Sequence, residues 1–269
     1  MNSDPSPIPQ SDVGFSVKMR VAANLSMMFK SVPLLERYGL AKKYGFKLVE
    51  LPFGYSESAQ ALKKAADECG LQHVLINAKI DSKIGGLACR NDLKDQFNEY
   101  LDISLEYAQV LNCKIVHVMA GDGNPATDEE VYVENLKNAC RKLAKHDILC
   151  VIEPLNSHNF PNYFLRSYDQ AKSIVNRMNE PNLKLLFDVY HCQLICGQIT
   201  HQLTSLAALI GHIQVSQPPQ RNEPSTQGEL NFDYFFNLLR KLRIDCYIGA
   251  EYFESTDNAN WVQEYKLSF

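Results

Sequence analysis

Four polar side chains able to hold a metal ion or move a proton each follow a short apolar run in this chain. They are Glu153 in VIEPLN, Asp188 in LLFDVYH, Gln214 in HIQV and Glu251 in YIGAEYF. Burying a bare carboxylate in such a setting costs several kcal/mol unless something compensates it. Their successive spacings are 35, 26 and 37 residues, and one strand–helix unit of a barrel occupies about 30. That phase puts them on four consecutive strands, at one rim. Converging carboxylates repel one another, and a divalent cation removes the repulsion. An all-oxygen set suits a hard ion, Mg²⁺ or Mn²⁺, better than zinc. Gln214 then adds an oxygen without adding charge. Any one of these residues alone reads as a loop cap or an ion-pair partner; four in phase read as a metal site.

Other residues near these positions carry weaker signals. His191, three residues after Asp188, is expected at the same mouth, although a lone histidine there would more often cap or satisfy a loop. His212 shares the face of Gln214, where packing explains it as well as function does. Arg221, Glu223 and Glu229 taken singly read as solvated loop residues. Met27, Met28 and Phe29 read either as core or as a wall of the pocket, and the wall is the expectation taken.

The elements that must position these groups are legible as alternating patterns. Strands are expected at Lys18–Ala23, Leu48–Leu51, His73–Asn77, Ile115–Met119, Leu149–Glu153, Leu183–Asp188, His212–Val215 and Cys246–Glu251. Most are β-branched or continuously apolar, as strands covered on both faces should be. Between them lie helical patterns with end signals. Asp128, Glu129 and Glu130 open a segment that finishes basic, which suits the helix dipole. LKKAADECG stops on Gly70, a C-cap. Eight such alternations without a linker predict an α/β fold, a (β/α)₈ TIM barrel, as one catalytic domain over residues 17–269. An open doubly wound sheet would call for a glycine-rich turn after the first strand, and VAANLSMMF has no glycine.

Bulk composition narrows the functional classes. A net charge of −4 supplies no basic field for nucleic acid. The eight cysteines are scattered without a CxxC pair, as expected of reduced thiols used as small core residues in a reducing compartment. No apolar run approaches the ~20 residues that span a bilayer. MNSDPSPIPQSDVGFS lacks the basic and apolar regions of a signal peptide, so a cytoplasmic protein is expected, with residues 1–16 as a flexible tail.

The segments ANLSMMF (23–29), IEPLN (152–156), FDVYHCQ (187–193), HIQVSQPPQRNEPSTQGELNF (212–232) and GAEYF (249–253) closely resemble the hydroxypyruvate isomerase family. These are xylose-isomerase-like TIM barrels related to the ketose 3-epimerases. The likeness runs from about Arg20 to Trp261, and HxQ followed by R-x-E-P and G-E-L-N is a specific signature. The wording around Ser216 and Ser225 is most similar to the animal branch. The resemblance implies a divalent metal, Mg²⁺ or Mn²⁺, on Glu153, Asp188, Gln214 and Glu251. It implies Glu153 and Glu251 as the acid/base pair, and His191 and Arg221 as contacts to a small hydroxy- or oxo-acid substrate. The implied reaction interconverts hydroxypyruvate and 2-hydroxy-3-oxopropanoate by metal-assisted proton transfer through an enediolate. It leaves a homo-oligomer open. One departure stands out: the loop 77–92 is shorter than the family's usual Gly/Pro-rich loop and lacks its prolines.

Three rival readings are weaker. A neutral-sugar epimerase or isomerase on the same barrel usually places a histidine where Gln214 stands. An AP-endonuclease-like nuclease would need a zinc cluster with more strand-end histidines and a basic face. A non-catalytic binding barrel has no need of three converging carboxylates.

Overall fold

A computed structural model of the chain describes residues 19–81 and 85–269. Eight parallel strands close into one barrel in sequence order: β1 Arg20–Asn24, β2 Leu48–Leu51, β3 Gln72–Asn77, β4 Ile115–His117, β5 Leu149–Ile152, β6 Leu183–Asp188, β7 Ile210–Val215 and β8 Tyr247–Ala250. Closure is made by β1 against β8, with Val21 opposite Ile248 and Ala23 opposite Ala250. All eight expected strands are present. Several are a residue or two shorter, so Glu153 and Glu251 sit just beyond their last ladder residues, where neighbouring strands no longer bond.

The helices wrap the barrel: α1 Leu34–Lys43, α2 Ala59–Cys69, α3 Lys94–Val110, α4 Glu129–Ala144, α5 Tyr168–Met178, α6 Val189–Ile195, α7 Ile199–Leu206, α8 Phe232–Lys241 and α9 Trp261–Glu264. Their ends follow local chemistry. Ser58, Ser167 and Asn231 each accept the backbone N–H three residues on, satisfying donors that the first helical turn leaves orphaned. Gly70 closes α2 at φ 69°, a left-handed conformation glycine adopts without strain. In α4, Glu129 and Glu130 lie in the first turn and Arg141 and Lys142 in the last, as the sequence predicts. The expected flexible tail, residues 1–16, lies outside the described residues.

Side chains alternate across each strand, and this divides the core in two. Outward residues such as Val21, Val49, Ile152, Phe187 and Ile213 join the helices in the larger hydrophobic cluster. Inward residues Ala22, Leu48, Leu75, Ile115, Val151 and Leu186 form a smaller cluster inside the barrel. The next inward position on every strand, towards its C-terminal end, is polar: Asn24, Glu50, Asn77, His117, Glu153, Asp188, Gln214 and Glu251. The barrel therefore has a polar mouth above a floor that is apolar apart from His212 on β7.

Met28 and Phe29, expected to wall the pocket, are instead buried in the larger cluster. The chain turns immediately after β1, with the Met27 and Met28 N–H groups donating to the Asn24 carbonyl. That turn points Phe29 at the Tyr44 ring, 5.0 Å away, rather than over the mouth. Six of the eight cysteines are buried, Cys69 is half-buried and Cys196 exposed, all as free thiols. Among the described residues no helix is long and apolar enough to cross a membrane.

Candidate active site

The mouth is built from the ends of β5 to β8 and the loops that follow. Asp188 ends β6 fully buried, and its Oδ1 accepts the Tyr190 N–H at 2.8 Å, fixing its rotamer. It pairs in register with Gln214 on β7. Oxygens of Glu153 and Asp188 and a ring nitrogen of His191 lie within 4.8 Å of one another. Glu251 joins this group through Arg221, whose Nη2 donates to a Glu251 oxygen and, at 3.2 Å, to Asp188 Oδ2. The expected residues Glu153, Asp188, His191, Arg221 and Glu251 are thus brought together. Gln214 is buried beside them, with its amide nitrogen donating to Glu50 at 2.8 Å.

Electrostatics show what this cluster lacks. Burial, then the charges of Glu251 and Asp188, push the Glu153 carboxyl well above the usual carboxylate range. Burial raises Asp188 to about 6 against the pull of Arg221. Burial also raises Glu251 to about 8, with Arg221 again opposing. One guanidinium is too little charge for two buried carboxylates, Glu153 and Asp188, and the half-buried Glu251 beside them. Glu153 Oε1 and Arg221 Nε are moreover buried without a hydrogen-bond partner among the described residues. Open acceptors and excess negative charge fit a divalent cation, and three carboxylates plus an amide oxygen fit a hard one.

His191 has a different fit. Its Nδ1 accepts the Asn156 backbone N–H at 3.1 Å, so in the neutral ring the proton resides on Nε2. Burial and then the Arg221 charge hold the ring neutral, far below the usual histidine range. An Nε2–H facing the cluster donates a hydrogen bond to an oxygen rather than a lone pair to a metal. Tyr190 packs edge-on to His191, and its ring lies 4.8 Å beneath the Arg221 guanidinium.

Arg221 is positioned by the loop after β7. Gln217 stitches that loop by donating to Thr226 and Leu230 carbonyls and accepting the Leu230 N–H. Glu223, which reads in the sequence as ordinary loop polarity, is fully buried. It accepts the N–H and hydroxyl groups of both Ser255 and Thr256. The Phe253 N–H donates to the Arg221 carbonyl at 2.8 Å. The loops after β7 and β8 are therefore one unit. Glu229 remains peripheral, accepting from Gln193.

Four polar residues of the mouth escape the sequence reading: Asn24, Glu50, Asn77 and His117. Glu50 is fully buried and accepts from Asn24, His212 and Gln214. His117 Nδ1 lies 3.2 Å from Asn77 Oδ1 and 3.7 Å from Glu153 Oε2. Burial, then His212, lowers its pKa to about 3. The signal that finds β5 to β8, a polar residue at the inward position of an apolar strand, is equally present in VAANL, LVEL, VLIN and IVH. The loop after β3 is tied to its neighbours, with Ala78 N–H on the His117 carbonyl and Cys89 N–H on Ala120.

With this geometry in hand, comparison with known proteins is informative. Residues 38–268 match the xylose isomerase-like TIM barrel family. A Caenorhabditis elegans protein provisionally named hydroxypyruvate isomerase is 41% identical, covering 93% of this chain and 98% of its own. The 2-oxo-tetronate isomerase of Cupriavidus necator is 38% identical, over 87% and 92% of the two chains. The hydroxypyruvate isomerase of Escherichia coli is 33% identical, over 92% and 100%. Among solved structures, a Brucella melitensis protein described as an AP endonuclease, family 2, superposes with a TM-score of 0.88 at 34% identity, over 92% and 99%. The 3-keto-D-glucoside 4-epimerase of Escherichia coli shares the fold, with a TM-score of 0.75 at 19% identity over 92% and 96%. The chain belongs to the xylose isomerase-like TIM barrel family and, within it, to the isomerases of the hydroxypyruvate isomerase group.

Proposed function

We propose that this isomerase interconverts hydroxypyruvate and 2-hydroxy-3-oxopropanoate. The observation that carries the reading is the set of three strand-end carboxylates, buried Glu153 and Asp188 and half-buried Glu251, with one guanidinium among them and a Glu153 oxygen that has no partner among the described residues. Glu153, Asp188, Gln214 and Glu251 would hold the cation, Mg²⁺ or Mn²⁺. When bound, it acidifies the proton on carbon and stabilises negative charge developing on the substrate oxygens. Glu153 and Glu251 act as the acid/base pair, one removing the proton and the other returning it to the adjacent carbon. The His191 Nε2–H donates to a substrate oxygen. Arg221 takes the substrate carboxylate, for which its unpartnered Nε–H offers a donor. We place the enzyme in the cytoplasm, since its thiols are free.

The relatives support a second substrate on the same machinery. 2-Oxo-tetronate is also an oxo acid, and the relative named for it is 38% identical to this chain. Both substrates present a carboxylate to Arg221; a neutral ketose does not. The nuclease reading gains no support from the acidic balance of the chain. The test is a substrate panel of hydroxypyruvate, 2-oxo-tetronate and neutral ketoses. It uses chelated protein, then protein resupplied with Mg²⁺ or Mn²⁺. Turnover of an oxo acid that vanishes on chelation and returns with metal is expected. Full activity in the chelated protein would remove the metal from the mechanism, and preference for a neutral ketose would move the epimerase-like reading ahead.

A further inference from the structure

Glu50 lies outside the proposed set of metal ligands and substrate contacts, yet it is as deeply buried as any charged group in the molecule. Its Oε1 accepts the Gln214 side-chain N–H at 2.8 Å and the Asn24 side-chain N–H at 2.7 Å. Its Oε2 faces His212 Nε2 at 2.8 Å. Both amides turn their nitrogens, which can only donate, towards this carboxylate. For Gln214 this has a definite consequence: with the amide nitrogen on Glu50, the carbonyl oxygen is directed away from it. The Asn24 amide is fixed from both ends. Its Oδ1 accepts the Ser26 and Met27 N–H groups, so Nδ2 must supply the donors, one to Glu50 and one to Glu251 Oε1 at 3.2 Å. This carboxylate thus sets the orientation of the Gln214 amide and receives the Asn24 amide that the Ser26 and Met27 N–H groups already orient. β8 leaves room for it. A Cβ at Gly249 would stand 2.3 Å from Glu50 Oε2, so any other residue there would force the carboxylate out of place.

We propose that Glu50 is a positioning residue for the cation, compelling Gln214 to offer its oxygen rather than its NH₂ to the ion and, through Asn24, holding Glu251. The inference rests on the metal reading above but adds a residue to it. A glutamine amide left to itself presents either end. With its NH₂ turned to the cation it would repel it. Loss of a group that orients a ligand costs metal affinity about 10- to 100-fold.

The test measures Mn²⁺ affinity by electron paramagnetic resonance titration of chelated protein, with folding checked by circular dichroism. Glu50→Met removes the acceptor and is expected to weaken binding about 10- to 100-fold. Glu50→Gln removes the charge but keeps a carbonyl acceptor for both amides, and should stay within a few-fold of wild type. The double variant E50M/Q214E carries a carboxylate at 214, which offers an oxygen in either orientation; it should recover the affinity lost in E50M. A folded E50M that binds like wild type overturns the proposal. So does E50Q as weak as E50M, since charge rather than orientation would then be at work. A double variant no better than E50M, or one that does not fold, also overturns it, because Glu50 would then be serving the scaffold alone. Wild-type protein that binds no Mn²⁺ would instead sink the metal reading itself.

Discussion

Glu50 and Glu153 occupy the same kind of position, an inward side chain at the C-terminal end of a barrel strand, and both are buried. Their surroundings differ. Glu50 accepts from three side chains on β1 and β7. Among the described residues Glu153 has one oxygen with no partner, and its other oxygen lies 3.7 Å from His117. A buried carboxylate with its acceptors filled is part of the scaffold. One with an open acceptor, among like charges, is held in a state that a ligand would relieve. Both Glu50 oxygens are thus filled from β1 and β7, whereas Glu153 keeps an open acceptor. The contrast separates support from chemistry inside one ring of polar residues.

The largest expected effect lies on the open side. Glu153→Gln should lower turnover about 10²- to 10⁴-fold, the scale of a positioned acid or base, and Glu251→Gln should do likewise. The melting temperature of Glu153→Gln should not fall, because burial among like charges already disfavours the ionised carboxylate that the change removes. Rate and metal content must be read together. A variant keeping both its metal and its rate would remove that glutamate from the chemistry.

A buried polar pair far from the mouth gives the next effect, on stability instead of rate. His73 bonds the Tyr38 hydroxyl at 2.8 Å, and burial, then nearby Lys63, lowers its pKa to about 4. The unfolded chain takes up a proton near the ordinary histidine value of 6.5, and the folded one only near 4. Stability from neutral His73 is therefore complete above pH 6.5 and is lost as pH falls towards 4, by about 3 kcal/mol in all. Urea unfolding at pH 7 and pH 5 should show a larger drop for wild type than for His73→Gln, which keeps a partner for Tyr38. Equal drops would mean that His73 does not carry the dependence.

Arg221→Lys sharpens the comparison at the substrate. An ammonium cannot reproduce the paired fork, so the loss should be about 1.5–3 kcal/mol, or roughly 10- to 150-fold in kcat/KM on an oxo acid. On a neutral ketose the loss should nearly vanish. Equal losses on both would make Arg221 a support for Asp188 and Glu251 only.

The smallest effect is expected at Glu223, a satisfied carboxylate like Glu50. Glu223→Gln keeps its pattern of partners but weakens charge-assisted bonds, costing about 1 kcal/mol. That corresponds to a melting temperature about 2–4 °C lower for a chain of this size class. KM should rise with it, since this residue ties the Arg221 loop to the loop after β8. An unaltered melting temperature would show that the tie carries no energy.

Much of this architecture is legible locally. The eight strands are short β-branched or apolar runs, and Gly70 and the acidic start of α4 mark helix ends by chemistry confined to a few residues. Glu153, Asp188, Gln214 and Glu251 stand out because a polar group after an apolar run is costly and the spacing repeats. Asn24, Glu50, Asn77 and His117 obey the same rule, but nothing nearby in the chain says what each would meet. Met28 and Phe29 mislead for a related reason: an apolar cluster after a strand packs inwards or over a mouth according to a turn whose direction is tertiary.

By itself, the sequence determines the period of the elements and the identity of the groups placed at their ends, because strand alternation and unit length are local and repeat. Only the tertiary structure decides which of those groups are satisfied. Glu50 meets Gln214 across 164 residues of chain and Asn24 meets Glu251 across 227. Glu223 is buried because a serine and a threonine on another loop arrive to fill it. Hydrogen bonds act over about 3 Å, and which partners come within that reach is set by closure of the barrel, not by distance along the chain.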